Sequence, residues 1–311
     1  MHPMSDVNVL GHIGPDGPRL LVLYTGGTIG MAPGPDGALV PLDLRELGVH
    51  LPFVHRLPIG LTVATLMEPI DSAAMATSDW IAIADAIVEH APGHVGVVVL
   101  HGTDTMAYTA SALSFLLESI HIPIVLTGAQ RPVTELRSDG RENLVTAMAI
   151  AAGHLRGAPL VPEVTIFFDD LLLRGNRTVK VHADSYRGFA SPNYLPLATA
   201  GVAIDIDASL LREPGTGPIR RNGGVSDAVT TLRLYPGLTA QAVHAVLDQP
   251  GLRGVILDAY GAGNGPTDRW FLDPLRSAVD RGVTVVVTTQ CRAGSVVGGL
   301  YAPSSALLAT V

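Results

Sequence analysis

The chain has 311 residues, of which 47 % are hydrophobic and 15 % are charged, a composition that favours a folded globular protein over a disordered one. Its formal net charge of -8 argues against a nucleic-acid partner, because no basic stripe in the sequence could neutralise phosphates. The single cysteine, Cys291, excludes a disulfide within the chain and a cysteine-based metal site, and it fits a reducing compartment.

The first 18 residues are polar and rich in Gly and Pro. They lack the basic and apolar regions of a signal peptide, and we expect residues 1–18 to form a loose tail. The apolar runs of the chain are shorter than the roughly 18 residues that suggest a membrane span. We therefore predict a cytoplasmic, soluble protein that does not contact a membrane.

Strands are indicated by short apolar runs that are rich in Val and Ile and do not alternate with polar residues, which is typical of strands buried on both faces. These runs lie at residues 21–25, 95–100, 122–128, 164–168, 254–260 and 283–289. Two stretches between them have apolar residues at helical spacing. Residues 104–120 are predicted to form a helix capped by Asp104. Residues 139–155 are predicted to form another, with Asp139 and Glu142 at capping-box spacing.

Strands that alternate with helices predict an α/β fold, with a mostly parallel sheet sandwiched between helices. The pattern is interrupted at residues 196–226, which contain three prolines and several glycines and show little periodicity. We therefore predict a large N-terminal α/β domain over residues 19–195 and a linker over residues 196–226. A smaller C-terminal α/β domain is predicted over residues 227–311.

Polar residues and glycines directly follow four of the predicted strands. The segments concerned are Thr25–Thr28, His101–Thr105, Thr127–Pro132 and Gly261–Asn264. In open α/β sheets, ligands bind outside the carboxyl ends of the strands. The repetition of polar strand ends predicts one ligand site more strongly than any single motif does.

The glycine pair in "YTGGTIG" has two interpretations, a phosphate cradle or a turn that presents Thr28 at a strand end. The spacing is not G-x-G-x-x-G, and the sequence contains no P-loop motif. The segment that follows is rich in Pro and Gly, so we expect no helix N-terminus there to hold an anion. These points favour the turn, and Thr28 is then a candidate nucleophile, which needs a base.

Lys180 is the only lysine of the chain, and it lies between two valines in "RTVKVHAD". A lysine amine can serve as a base where burial and neighbouring groups favour its neutral form, whereas arginine stays protonated. A sole lysine in a chain that otherwise uses arginine suggests a site that needs an ionisable amine. A solvated strand residue explains the pattern equally well.

Thr103 and Asp104 are adjacent at the start of a predicted helix, where both residue types are also ordinary caps. His101 is either a general base or a residue with satisfied hydrogen bonds at a strand end, and we favour the second interpretation.

His90 and His94 are four residues apart, but Pro92 and Gly93 break the helix that would align them as metal ligands. No other group of His, Asp and Glu in the sequence has ligand spacing, and the G-x-S-x-G motif of serine hydrolases does not occur. We predict neither a metal site nor a cofactor.

Five segments resemble the bacterial cytosolic (type I) L-asparaginases of the asparaginase/glutaminase family. They are "YTGGTIGM", "LHGTDTMAYTASALSF", "ELRSDGRENL", "RGNRTVKVHAD" and "YGAGN". They follow one another in family order over most of the chain, and the first two motifs together are highly specific. The resemblance implies hydrolysis of L-asparagine to L-aspartate and ammonia through a covalent acyl-enzyme.

The resemblance also implies the catalytic residues. Thr28 matches the threonine that attacks the carbon of the side-chain carboxamide. Thr103, Asp104 and Lys180 match a second group, in which Lys180 keeps the Thr103 hydroxyl ready as a base. In that group, Asp104 holds Lys180 and the α-amino group of the substrate.

Four further positions match substrate-binding residues of the family. Asp71 and Ser72 match the contacts to the α-amino and α-carboxylate groups. Ala129 matches a residue whose backbone lies near the leaving amide. Asn264 matches a residue that a neighbouring chain contributes, which implies a homodimer or a homotetramer.

Two features depart from the family pattern. Family members usually carry a tyrosine after the first motif, hydrogen-bonded to the nucleophile, but this chain has "APGPDGALVPL", with Leu39 or Ala38 at that place. Tyr24 precedes the turn on a buried strand and does not easily substitute for it. The chain ends at "YAPSSALLATV", where family members continue with another helical stretch.

Three other functions stay open at this point. An enzyme with appreciable glutaminase activity fits the same residues, because one methylene in a pocket changes selectivity by only about 1–3 kcal/mol. A non-catalytic amino-acid-binding protein is motivated by the missing tyrosine. The amidase-like subunit of a tRNA-dependent amidotransferase is disfavoured by the acidic charge and by the early position of the first motif.

Overall fold

The computed structural model describes residues 7–33, 39–41, 58–298 and 302–311. The chain divides into two compact units, Met1–Val225 and Ser226–Val311. Within the described ranges, no helix is both long enough and apolar enough to cross a membrane.

The strands are β1 (Val7–Ile13), β2 (Arg19–Tyr24), β3 (Met31–Pro33), β4 (Leu39–Pro41), β5 (Gly60–Leu66), β6 (Gly96–Leu100), β7 (Leu117–Glu118), β8 (Ile124–Thr127), β9 (Val164–Phe168), β10 (Leu171–Arg174), β11 (Val179–Lys180), β12 (Phe189–Ala190), β13 (Ala198–Ala200), β14 (Ile204–Ile206), β15 (Arg220–Arg221), β16 (Val229–Arg233), β17 (Gly254–Ala259) and β18 (Thr284–Thr289). The described α-helices are α1 (Thr77–His90), α2 (Met106–Leu116), α3 (Gly140–Ala152), α4 (Ala240–Leu247), α5 (Arg269–Asp280) and α6 (Ala302–Leu308).

The first unit is built on a nine-stranded sheet with the order β1-β5-β2-β6-β8-β9-β10-β13-β14. The central strands β5, β2, β6, β8 and β9 run parallel to one another. Strand β1 is antiparallel at one edge, and β10, β13 and β14 are antiparallel at the other. The carboxyl ends of β5, β2, β6 and β8 therefore lie side by side along one edge of the sheet.

Alternate residues of the central strands pack against helices on opposite faces of the sheet. Leu20 and Val22 of β2 share a buried cluster with Leu144 of α3. Leu21 and Leu23 belong to a second cluster, which contains residues of α1 and α2. Because both faces are covered, the strands are apolar throughout. The predicted α/β fold with helices on both faces of a mostly parallel sheet is confirmed.

The second unit has a parallel three-stranded sheet with the order β16-β17-β18. Its core contains Leu257 of β17 together with Phe271 and Leu275 of α5. Leu307 of α6 is fully buried in the same core, so the last helix contributes directly to the packing of this unit. The smaller C-terminal α/β unit is also confirmed.

The prediction of a loose tail over residues 1–18 is wrong for Val7–Ile13, which forms β1 and pairs with β5. The pairing register shifts between Val9 and Gly11, as in a β-bulge. A bulge interrupts the two-residue alternation that marks a half-buried strand. This interruption explains why the sequence pattern did not indicate β1.

The prediction of a linker over residues 196–226 is wrong for most of that segment. Strands β13 and β14 extend the large sheet, and β15 pairs with β7. Strands of two or three residues are too short to give a periodic signal. The Pro and Gly residues that suggested a linker lie in the connections between these strands, and the division between the units falls after Val225.

Both predicted helices exist, but neither uses its predicted cap. Helix α2 has Thr105 as its N-cap residue instead of Asp104, and α3 has Asp139. Neither N-cap side chain makes a capping hydrogen bond, so the capping box expected from Asp139 and Glu142 is not formed. The side chains of Asp104, Thr105 and Asp139 make other contacts, which are important for the site.

Candidate active site

The carboxyl edge of the large sheet brings together most of the residues that the sequence singles out. Thr28 follows β2, Ser72 follows β5, Thr103 follows β6, and Ala129 follows β8. These four strands are neighbours and run parallel. The topology thus places the loops that carry these residues next to one another, where α/β sheets bind their ligands.

The glycine pair after β2 allows three loops to pack closely. Gly26 and Gly27 both have positive φ, 130° and 94°. A Cβ on Gly26 would lie 2.0 Å from the Ile70 carbonyl oxygen, and one on Gly27 would lie 2.4 Å from Gly102 Cα. Any side chain here would separate the loops. The pair therefore forms a strand-end turn, and Thr28 begins the short 3-10 helix that follows it.

The turn is held by hydrogen bonds from both sides. The Thr25 amide and hydroxyl both donate to the Leu100 carbonyl, at 3.0 and 2.9 Å. The Ile70 amide donates to the Thr25 carbonyl at 2.8 Å. The loops after β2, β5 and β6 are thereby fixed to one another, which fixes the backbone beside Thr28.

Tyr24 is buried beneath this turn. Its hydroxyl lies 3.3 Å from the carbonyl oxygens of Gly27 and Gly30, and burial raises the pKa of Tyr24 to about 12. The phenol therefore stays protonated and acts as a donor to the backbone around Thr28. Ala38 lies outside the described residues, and only the backbone of Leu39, in β4, is described.

The loop after β5 contacts the loop after β6. A Cβ on Gly102 would lie 2.4 Å from Ser72 Oγ, so the Ser72 side chain packs against the glycine. The Thr105 hydroxyl donates to the Ser72 carbonyl at 2.8 Å, a contact that the sequence analysis missed. Ser72 is buried, whereas Asp71 is exposed and accepts a hydrogen bond from the Ala73 amide at 3.0 Å.

Lys180 forms the chemical centre of the cluster. Its Nζ donates to Thr103 Oγ1 at 2.9 Å and to Asp104 Oδ1 at 2.7 Å. The Lys180 side chain is 18 % exposed, and that of Asp104 is 64 % exposed. The amine is therefore held largely away from solvent between a hydroxyl and a carboxylate, and the carboxylate retains an open face.

The chain reaches this position through a connection that packs on α2. A Cβ on Gly175 would lie 3.0 Å from the Ala110 carbonyl oxygen of α2, so only a glycine allows this approach. The chain then enters β11, where Lys180 pairs with Phe189 of β12. Because Thr103 and Asp104 directly precede α2, packing against that helix brings Lys180 to them.

His101 has hydrogen-bond partners for both ring nitrogens at a strand end, the environment that the sequence favoured. It is 1 % exposed, its Nδ1 lies 2.7 Å from the Gly102 carbonyl oxygen, and its Nε2 lies 2.8 Å from Thr109 Oγ1. Burial lowers the pKa of His101 to about 4. The ring is neutral, and because a carbonyl can only accept, Nδ1 carries the proton.

Asn264 lies in the second unit, within a tight turn closed by two backbone hydrogen bonds between Tyr260 and Asn264. Its Oδ1 is buried without a hydrogen-bond partner in the described part of the chain. Helix α1 ends at His90, as the Pro92–Gly93 pair predicts. Among the residues described, no group of three or more His, Cys, Asp and Glu side chains is arranged to hold a metal ion.

Two family models match successive parts of the chain. "Asparaginase, N-terminal" matches residues 19–212, and the glutaminase/asparaginase C-terminal domain matches residues 228–310. The two α/β units and the threonine–lysine–aspartate cluster define the class as an α/β amidohydrolase. The chain belongs to the asparaginase family.

Individual relatives agree with this membership. The chain is 42 % identical over 290 residues to L-asparaginase 1 of Escherichia coli (strain K12), and the aligned region covers 93 % of this chain and 84 % of that protein. It is 42 % identical over 308 residues to the 60 kDa lysophospholipase of Homo sapiens, covering 91 % of this chain and 52 % of that protein. The crystal structure of L-asparaginase I from Vibrio cholerae is similar with a TM-score of 0.84 and 38 % identity, covering 94 % and 86 % of the two chains.

Proposed function

We propose that this protein hydrolyses the side-chain amide of L-asparagine to L-aspartate and ammonia through an ester on Thr28. The observation that carries the proposal is the position of Lys180 Nζ, 2.9 Å from Thr103 Oγ1 and 2.7 Å from Asp104 Oδ1. A hydroxyl within reach of an amine that a carboxylate orients is suited to transfer protons during covalent catalysis, and here that hydroxyl belongs to Thr103.

In the first step, the Thr28 hydroxyl attacks the carboxamide carbon and the C–N bond breaks. The hydroxyl proton leaves with the nitrogen as ammonia, and the aspartyl group is left as an ester on Thr28. We expect backbone N–H groups at the glycine-rich strand ends to stabilise the oxyanion, each contributing about 3 kcal/mol.

In the second step, water attacks the ester carbon. The Thr103 hydroxyl takes the water proton and passes it to the Lys180 amine, which it contacts at 2.9 Å. The proton returns to the Thr28 oxygen as the C–O bond breaks, and L-aspartate is released. Asp104 keeps the amine in place throughout both steps.

The charged groups of the substrate fit the exposed polar residues of the same edge. The open face of the Asp104 carboxylate suits the α-ammonium group, and Asp71 is exposed beside Ser72. The Ser72 hydroxyl offers a donor to the α-carboxylate. The proposal therefore favours an α-amino acid as the substrate over a simple amide.

The test is ammonia release from L-asparagine, L-glutamine and D-asparagine by the purified protein. We expect Thr28→Ala and Thr103→Ala to lower turnover of L-asparagine by at least about a hundredfold, as the loss of a nucleophile or a base should. Thr199→Ala is the matched control, because Thr199 is exposed on β13. Full activity of Thr28→Ala would show that Thr28 is not the nucleophile.

A broader glutaminase–asparaginase is the second candidate, supported by the C-terminal family model, whose description includes glutaminase. It predicts comparable ammonia release from L-glutamine. An amino-acid-binding protein would instead bind L-asparagine without releasing ammonia from any of the three amides.

The proposal extends to assembly and location. If Asn264 completes the site of a neighbouring copy, as in the family, the active species is a homodimer or a homotetramer. Light scattering should then give a molar mass of two or four chains. A cytoplasmic location stays a prediction from the sequence.

A further inference from the structure

The motif "ELRSDGRENL" has no role in the mechanism above, yet it lies against the turn that carries Ala129. Asp139 stands at the start of α3 but does not cap it. Its carboxylate accepts from the Gln130 amide at 2.9 Å on Oδ2 and 3.1 Å on Oδ1. It also accepts from the Arg131 amide at 3.1 Å, so the side chain bonds to the loop after β8.

Asn143, one turn along α3, is buried and fully hydrogen-bonded. Its Nδ2 donates to the Gly128 carbonyl at 3.0 Å and to Asp139 Oδ2 at 3.3 Å. Its Oδ1 accepts from the Asp169 amide at 3.0 Å. These partners fix the orientation of the carboxamide, because each end meets only groups of the opposite kind.

The two residues that flank Asp139, Ser138 and Gly140, also contact the loop after β8. The Ser138 hydroxyl donates to the Arg131 carbonyl at 2.9 Å and accepts from the Gly140 amide at 3.0 Å. A Cβ on Gly140 would lie 2.9 Å from Ala129 Cβ. The motif therefore packs against one side of the turn and leaves no room for displacement in that direction.

These contacts determine which way the peptide groups of Ala129 point. In a trans peptide, the carbonyl of one residue and the amide of the next point in opposite directions. The Gly128 carbonyl is directed at Asn143, so the Ala129 amide points away from it. The Gln130 amide is directed at Asp139, so the Ala129 carbonyl points away from the motif.

Ala129 is 2 % exposed. In the part of the chain that the structure describes, neither its amide nor its carbonyl has a hydrogen-bond partner. Buried backbone groups without partners are rare in native proteins and call for an explanation such as a ligand. The family resemblance implies that the Ala129 backbone lies near the leaving amide, and its carbonyl, which points away from the motif, could accept a hydrogen bond from the amide nitrogen.

We propose that Asp139 and Asn143 are positioning residues that aim the Ala129 carbonyl at the leaving nitrogen of the substrate. The inference rests on the proposed amide hydrolysis. The hydrogen bond strengthens as the nitrogen gains a proton and departs, so it favours the transition state over the bound substrate. It also makes the site selective for amides, because an ester oxygen has no proton to donate.

The test compares L-asparagine with the β-methyl ester of L-aspartate. Both substrates give the same ester on Thr28 and the same product, L-aspartate, but only the amide has N–H groups on its leaving atom. The quantity measured is kcat/KM for aspartate release, which reports the step in which the leaving group departs.

Two nearly isosteric variants disturb the turn. Asp139→Asn places an NH2 group against backbone N–H donors, and Asn143→Asp places an oxygen against the Gly128 carbonyl. Glu142→Gln is the matched control, since Glu142 lies in the same first turn of α3, is exposed and faces none of these groups. Circular dichroism and thermal unfolding establish that each variant is folded.

We expect both variants to lower kcat/KM for L-asparagine by about tenfold or more, the effect of misplacing one buried hydrogen-bonding group. The kcat/KM for the ester should change by less than about threefold, and Glu142→Gln should change kcat/KM for neither substrate.

If Asn143→Asp does not fold, Asp139→Asn alone gives the comparison. Equal losses on amide and ester, or no loss on either, would overturn the positioning role. A wild type that hydrolyses neither substrate would overturn the proposed function and this inference with it.

Discussion

The starts of helices α2 and α3 in the first unit differ from the start of α4 in the second. Thr239 precedes α4, and its hydroxyl accepts a hydrogen bond from the Ala242 amide at 3.2 Å, as an ordinary cap does. Thr105 and Asp139 hold the same position at α2 and α3, but they bond to Ser72 and to the loop after β8 instead.

The difference shows that a polar residue at the N-cap position can bond either to its own helix or to another segment. At α4, the polar side chain satisfies its own helix and stabilises local structure. At α2 and α3, the side chains join separate loops at the carboxyl edge of the sheet, and the helices begin without that local bond. In this chain, the polar residues that precede α2 and α3 thus bond to other loops at the edge of the sheet that carries the candidate site.

The sheets of the two units differ in the same sense. Strands β6 and β8 are buried along their whole length, whereas β17, the central strand of the second sheet, has only alternate residues buried. Strands packed tightly on both faces hold the loops at their ends in place more firmly than less covered strands do. This difference fits the position of the candidate catalytic groups in the first unit.

The largest expected effect is at Lys180, whose amine the first unit holds between Thr103 and Asp104. Lys180→Met removes the amine, and Lys180→Arg keeps a positive charge that cannot be given up. We expect both to lower kcat for L-asparagine by at least about a hundredfold, because the proton relay through Thr103 needs a group that can accept and return a proton. Steady-state ammonia release measures the effect.

Arg220→Met is the control for loss of a cationic side chain. Arg220 forms an exposed ion pair with Glu118 at 2.9 Å, and such pairs contribute little to stability. Activity should be unchanged. If Lys180→Arg kept most of the wild-type rate, the charge alone would suffice and the relay would be wrong.

A smaller effect is expected from His101, whose ring is kept neutral by burial directly after β6. Its pKa is about 4 in the folded chain and about 6.5 when unfolded. Between these values the unfolded chain binds the extra proton, so stability falls as the pH is lowered from 6.5 to 4. The contribution of this residue reaches about 3 kcal/mol at the lower end.

His101→Asn keeps a donor for the Gly102 carbonyl but does not titrate. Urea unfolding from pH 7 to pH 4 should show a flatter decline in this variant than in the wild type. His94 and His154 also have pKa values lowered by burial, but they are common to both proteins and cancel in the difference. Parallel pH profiles would show that His101 is protonated in the folded protein.

Much of the first unit could be predicted from the sequence because its signals are local. Apolar runs that do not alternate require burial on both faces, and this gave the parallel strands and the helices that cover them. Strand β1 was missed because of its bulge, and β13 and β14 because three residues give no period. Short strands depend on their neighbours for pairing, and the sequence does not contain that information locally.

The residues of the candidate site could be predicted only where they lie in a motif that resembles the family. The interpretation of Lys180 was evenly divided until the resemblance was considered, because its partners Thr103 and Asp104 lie 77 and 76 residues away. Asp139 shows the opposite case. The spacing to Glu142 suggested a local capping box, but the carboxylate bonds to the loop after β8, which lies nine residues before it. A local pattern cannot reveal that a side chain is used elsewhere.

The smallest expected effect is at the ordinary cap of the second unit. Thr239→Ala removes the hydroxyl that accepts from the Ala242 amide, which costs about 1 kcal/mol of helix stability. Hydrogen exchange of the α4 amides should accelerate by about fivefold, the factor that corresponds to this energy, while ammonia release should not change.

Thr105→Ala is the matched comparison, since the Thr105 hydroxyl makes no cap bond and donates to the Ser72 carbonyl instead. We expect the reverse result there, with slower turnover and unchanged exchange in α2, because the hydroxyl joins two loops of the site rather than stabilising its own helix. If Thr105→Ala loosened α2 and left turnover intact, the distinction between the two kinds of helix start would fail.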